Sequence, residues 1–107
     1  MNIRICGTGS ALPERKITND DLSQIMDTSD EWISSRTGIK TRHLATEETT
    51  TSLAAEAAKK ALADADMKPE EVELIIAATV TPDHLVPTLS CEVQREIGAV
   101  NAVAFDL

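Results

Sequence analysis

The spacing of apolar residues changes along the chain, and each change predicts an element. The strongest signal runs from the threonines at 49–51 to Asp66, where Leu53, Ala54, Ala57, Ala58, Ala61, Leu62 and Ala65 recur at intervals of three and four. That period predicts a helix with one apolar face. Glu56, Lys59, Lys60 and Asp64 fall on the other side, and Glu56 and Lys60 stand in the favourable i,i+4 order. Alanine on the buried side lets a second element approach closely, so this helix is expected in a middle layer or against a sheet. Over 72–80 the period breaks into the continuous apolar run Leu74-Ile75-Ile76-Ala77-Ala78, the pattern of a central strand buried on both faces. A loop over 81–87 follows. Leu89, Val93 and Ile97 then return to helical spacing with Gly98 as the stop, and Ala102 to Phe105 starts another buried strand.

The first half carries weaker periodicity and clearer punctuation. Ile3 to Cys6 reads as a short strand leading into a tight turn at Gly7-Thr8-Gly9-Ser10, and Pro13 blocks a helix there. Thr18 with Asp21 resembles a capping box for a short helix with Leu22, Ile25 and Met26 on one face. Thr28 with Glu31 repeats the signal for a second helix, which runs through Trp32 and Ile33 and stops at Gly38, ahead of a strand over Ile39 to Leu44. Strands alternating with helices predict α/β layers. No repeat, low-complexity tract or Gly/Ser linker marks a boundary, so the residues read as one piece of one domain. A strand buried on both faces needs more cover than these helices supply, and Asp106-Leu107 follows the last strand without cap or turn. Both features create the expectation of a larger domain cut short.

The composition is that of an ordinary globular protein, and the formal net charge of −8 repels phosphate backbones and anionic membrane surfaces, which argues against nucleic acid and membrane partners. No stretch approaches the roughly 20 apolar residues that span a bilayer, and Met1 is followed by Asn2 and Arg4 and not by a long apolar core. The expected compartment is the cytoplasm. Cys6 and Cys91 show neither metal-ligand spacing nor a disulfide framework. One local exception to the acidic field is the cluster Arg36, Lys40 and Arg42, which suits an anion.

Among candidate chemistries, Gly7-Thr8-Gly9 after a strand invites a dinucleotide-binding reading, but Leu12 stands where the third glycine belongs and Pro13 prevents the helix. Trp32 is the only tryptophan, and Arg36 lies one helical turn further on. An indole stacks on a purine and a guanidinium pairs with phosphate oxygens, so the pair suits a nucleotide; spacing alone, however, favours the plainer reading in which Trp32 caps local core and Arg36 is solvated. Thr28 is in the same way either a helix cap or a contact. His43 and His84 have no partner at metal or triad spacing, and Cys91, beside Glu92, has no activating neighbour.

The run Asp27-Thr28-Ser29-Asp30-Glu31-Trp32-Ile33, with Arg36-Thr37-Gly38-Ile39 and Arg42-His43, resembles the signature of the 3-oxoacyl-acyl-carrier-protein synthase III family. Gly7 to Ser10 with Leu12-Pro13, Thr18 to Leu22, Leu74 to Thr79 and Ala104-Phe105-Asp106 extend the likeness over the whole chain. The resemblance implies a thiolase-like fold in which this chain is the N-terminal part of a five-layered αβαβα homodimeric condensing enzyme, covering part of the first of two duplicated halves. It implies condensation of acetyl-CoA or another acyl-CoA with malonyl-acyl-carrier protein, with decarboxylation and no further cofactor. The family's catalytic cysteine, histidine and asparagine match nothing here, because the cysteine follows a Phe-Asp-hydrophobic segment that corresponds to Phe105-Asp106-Leu107. No catalytic residue is therefore assigned, and the chain is expected to be inactive alone. Coenzyme A contacts do carry over: Thr28 near the adenine, Trp32 stacked on it and Arg36 near the phosphates. In the family, Leu85 and Val86 lie in a loop that reaches toward the partner subunit's acyl pocket. Two other readings stand beside this one: a related synthase of polyketide starter or hydroxymethylglutaryl-CoA type, and a non-enzymatic assembly module.

Overall fold

The computed structural model describes residues 1–107, which form two compact units: Leu12–Glu47, and Met1–Ala11 together with Glu48–Leu107. No linker composition announces this division.

In the unit 12–47, strand β1 (Arg15–Thr18) leads directly into helix α1 (Asn19–Ser23), followed by helix α2 (Asp30–Thr37) and strand β2 (Thr41–Leu44). β1 and β2 pair antiparallel, with Arg15 opposite Leu44 and Thr18 opposite Thr41. The expected capping box forms. Thr18 Oγ1 accepts the Asp21 amide at 3.1 Å, and Asp21 Oδ2 accepts the Thr18 amide at 2.7 Å. These bonds, the backbone one foremost, hold the Asp21 carboxyl below its ordinary range. α1 is shorter than expected, because its last turn tightens into three-residue bonds from Gln24 to Asp21 and from Ile25 to Leu22. The common face of Leu22, Ile25 and Met26 therefore does not form, and Ile25 and Met26 are exposed. α2 starts one residue later than the sequence suggested: Ser29, extended at φ −147°, accepts the Trp32 amide at 3.1 Å, and Thr28 lies outside the helix. Gly38 ends α2 at φ 70°, a conformation costly for any side chain with a Cβ.

The second unit contains helix α3 (Thr50–Asp64), a 3₁₀ turn at Pro69–Glu71, strand β3 (Leu74–Ala77), helix α4 (Leu89–Ile97) and strand β4 (Val103–Asp106). Thr49 and Ser52 cap α3 reciprocally. β3 and β4 pair in parallel, Leu74 opposite Val103 and Ala77 opposite Asp106, with α4 as the crossover that parallel strands require. The core consists of Ala55, Leu89, Val93, Ile97 and Ala99, with Ala54, Ala58, Leu62, Ile75 and Ala77 packed around it. Ala55 lies outside the predicted stripe, yet it is the most buried residue of α3, because α4 widens the contact face of that helix.

Two strand expectations are corrected. Leu74, Ile76, Val103 and Phe105 are exposed while Ile75 and Ala77 are covered, so within this chain β3 is buried on one face only, the one that α4 packs against. Ile3–Cys6 forms no strand: the ladders are β1 with β2 and β3 with β4, and this segment joins neither, although β3 and β4 each keep an open edge. Gly7 and Gly9 make no tight turn either. Both lie flat against α3: a Cβ on Gly7 would stand 2.5 Å from the Ala61 carbonyl oxygen, and one on Gly9 would strike the Ala57 carbonyl. The glycines are thus the counterpart of the alanine stripe, and the Thr8 amide completes the docking on Asp64 at 2.9 Å.

Candidate ligand platform on helix α2

Trp32 and Arg36 are one turn apart on α2, and the structure brings them into contact. The guanidinium carbon lies 4.5 Å from the centre of the indole, over its ring. Trp32 remains 54% exposed, which is far more than a core tryptophan shows, so the ring is a surface and not a plug. Arg36 stands in the last turn of α2, where the helix dipole favours a cation. Its one hydrogen bond, from Nη1 to the Trp32 carbonyl, is long at 3.5 Å. Thr28 takes no part in the stack; it is half-buried and precedes the capping Ser29.

The helix that carries this pair is held by a polar centre. Asn19, only 1% exposed, donates through Nδ2 to Asp30 Oδ1 and to the Ile39 carbonyl, both at 2.7 Å, and more weakly to Ser34 Oγ at 3.3 Å. Its Oδ1 accepts from Arg42 Nη2 at 2.6 Å. One side chain thereby ties both ends of α2 to α1 and β2. Asp30 also accepts from Ser34 Oγ at 2.8 Å, and the bonds from Asn19 and then Ser34 keep its carboxyl ionised below the ordinary range, with the charge of Lys40 adding to the effect. Arg42 is consequently spent on structure. The basic cluster expected from the sequence reduces to Arg36 and Lys40, the two that remain exposed.

The remaining candidates are structural. His43 Nδ1 donates to the Pro13 carbonyl at 2.6 Å, and His84 Nδ1 faces Glu92 Oε1 at 3.2 Å. Cys6 and Cys91 are free and exposed, and no group of His, Cys, Asp or Glu side chains is arranged to hold a metal. Sequence reasoning missed two acidic residues that act at a distance. Asp83 accepts the Thr50 and Thr51 amides at 2.9 and 2.7 Å, which fastens the loop over 81–87 to the start of α3 and lowers its carboxyl pKa to about 2. Asp106 accepts the Leu89 and Ser90 amides at 2.9 and 2.8 Å and so caps α4, which Thr88 does not. Neither pairing leaves a local sequence signal, since the partners are 16 to 33 residues apart. Asn19 was visible only as one polar residue in the run Thr18 to Asp21.

No family model matches the chain. Over 106 residues, however, it is 55% identical to β-ketoacyl-acyl-carrier-protein synthase III of Clostridium acetobutylicum, a match that covers 99% of this chain and 33% of the relative. The chain belongs to the β-ketoacyl-acyl-carrier-protein synthase III family. It spans about a third of the length of the curated relatives it matches. Among solved structures, the 3-oxoacyl-acyl-carrier-protein synthase III of Aquifex aeolicus superimposes with a TM-score of 0.96 at 51% identity, covering 99% of this chain and 34% of that one. The priming β-ketosynthase of the R1128 polyketide pathway superimposes with a TM-score of 0.93 at 37% identity, covering 97% and 31%. The thiolase-like α/β expectation thus holds for this chain.

Proposed function

We propose that the protein carrying this chain joins acetyl-CoA, or another acyl-CoA, to malonyl-acyl-carrier protein with loss of carbon dioxide, and that Thr28, Trp32 and Arg36 bind the coenzyme A handle. The observation that carries this reading is the exposed indole in contact with a guanidinium, on a helix fixed by a buried polar centre, in a chain of this family. A base stacked on the ring contributes about 1–3 kcal/mol, and Arg36 offers charge-assisted hydrogen bonds to phosphate. Coenzyme A thioester is here a substrate, and no further cofactor is required. Acyl transfer needs an activated thiol; Cys91 meets the Thr88 hydroxyl at 3.3 Å and Cys6 meets the Arg4 carbonyl and side chain, so neither has a base to take its proton. The role of these residues is to hold the substrate, and the 107 residues alone should not condense it. Two free thiols fit a reducing compartment, and we place the enzyme in the cytoplasm as a homodimer, in line with its family.

Calorimetric titration of coenzyme A into the protein as its gene encodes it tests the platform. Trp32→Ala should weaken binding about tenfold or more, whereas His84→Ala should leave it unchanged. Equal affinity for the Trp32→Ala protein and the parent would defeat the assignment. The likeness to a priming polyketide ketosynthase supports a second reading, in which the same platform serves a different starter group. A panel of acyl-CoA thioesters of increasing chain length separates the two by kcat/KM.

A further inference from the structure

We infer that Arg36 is an exchangeable placeholder: it covers one face of the Trp32 ring while the platform is empty and gives that face up to a purine when the ligand's phosphates take the guanidinium. This rests on the reading of Trp32 and Arg36 as a nucleotide platform and goes beyond it, because it assigns the two residues a sequence of events.

Three observations support the exchange. The guanidinium lies over the ring at 4.5 Å, so a base cannot share that face with it. Nothing else holds Arg36 there: its one hydrogen bond is 3.5 Å long, and none of the chain's ion pairs, Glu56–Lys60, His84–Glu92 and Arg95–Glu96, includes it. A cation over an exposed ring is held weakly, whereas a guanidinium bound to phosphate through paired hydrogen bonds is held firmly, so the trade runs toward the phosphate. Both partners stand one turn apart on a helix fixed by Asn19, so the exchange needs only side-chain rotation. No covalent bond is made or broken. In the empty state the stacked guanidinium covers one face of a ring that is otherwise open to water.

This produces a difference of sign that neither a simple phosphate contact nor a permanent three-layer stack would produce. Arg36→Gln uncovers the ring and removes the phosphate donor at once. Adenosine, which has no phosphate to displace Arg36, should therefore bind the Arg36→Gln protein about twofold to fivefold more tightly than the parent, the amount that the displaced contact is worth. Adenosine 3′,5′-bisphosphate should bind at least about tenfold more weakly. The experiment is a titration of both probes into the parent and Arg36→Gln proteins, full length as encoded, followed by calorimetry. Opposite shifts establish the exchange. Adenosine affinity unchanged or reduced by Arg36→Gln overturns it, and the platform reading survives if the bisphosphate still depends on Trp32. If the parent binds neither probe, both fall.

Discussion

The two compact units solve the same problem with opposite materials. The unit built from α3, α4, β3 and β4 closes on aliphatic side chains, with Leu89, Val93 and Ile97 packed on Ala55 and Ala99, although α4 also buries Ser90 and Glu92. The unit of residues 12–47 has a single buried apolar residue, Ile17, and its other buried residue is Asn19, whose amide joins α1, α2 and β2 by hydrogen bonds. An apolar core tolerates adjustment, because its contacts are non-directional. A hydrogen-bonded centre fixes orientation, because each bond has a required geometry. The ligand platform sits on the second kind of scaffold, which suits a site that must present a ring at a set angle.

The largest expected effect breaks the polar centre. Asn19→Ala removes bonds to Asp30, Ile39 and Arg42 and leaves the half-buried Arg42 guanidinium without its acceptor, at a cost of about 3 kcal/mol. Amide hydrogen exchange should rise throughout 12–47 and remain slow in α4, and coenzyme A affinity should fall with it. If exchange rose equally in α4, the contrast between the units would be mistaken. The converse change, Leu89→Ala, opens a cavity in the aliphatic core for about 3 kcal/mol, measured as a drop in the denaturation midpoint. Here α4 should lose protection first, while Trp32 emission stays as in the parent.

The same contrast explains what could be read from the sequence. Leu89, Val93 and Ile97 announce α4 by spacing, and Thr49, Gly38 and Gly98 announce helix ends by residue type, because these signals are local. Asn19 carries no periodicity: its four partners are 11 to 23 residues away, and a buried asparagine looks like any turn asparagine until the fold closes on it. For the same reason Arg42 was grouped with Arg36 and Lys40 as an exposed cation. Ile3–Cys6 has the composition of a strand, but pairing is a property of two segments, and composition reports only one. Trp32 and Arg36 were legible as a pair at helical spacing. Their stacking was not, since side-chain rotation is not encoded in spacing.

The smallest effect sharpens the comparison by pH. Asp83 has its carboxyl pKa lowered to about 2 by the Thr51 and Thr50 amides, against an ordinary value of 3.8. A depressed folded-state value means that this stabilisation is complete above the ordinary value and is lost as pH falls through about 2. Asp30 and Asp21 are lowered as well, so both units lose bonds in acid, but with different consequences. Protonated Asp30 loses the charge that Asn19 and Ser34 stabilise at the centre of its unit. Protonated Asp83 releases only the loop over 81–87 from the start of α3; the aliphatic cluster itself contains nothing that titrates, and the other lowered carboxyl of this unit, Asp106, acts at the first turn of α4. The Thr50 and Thr51 amide chemical shifts should therefore titrate with a midpoint near 2, while that of Ile97, at the far end of α4 from Asp106, stays constant over the same range. In Asp83→Asn the titration should vanish and leave a slightly less stable protein at neutral pH. An Ile97 shift that followed the Asp83 titration, and vanished with it in Asp83→Asn, would show that the aliphatic unit depends on its charged clamp as closely as the polar unit depends on Asp30.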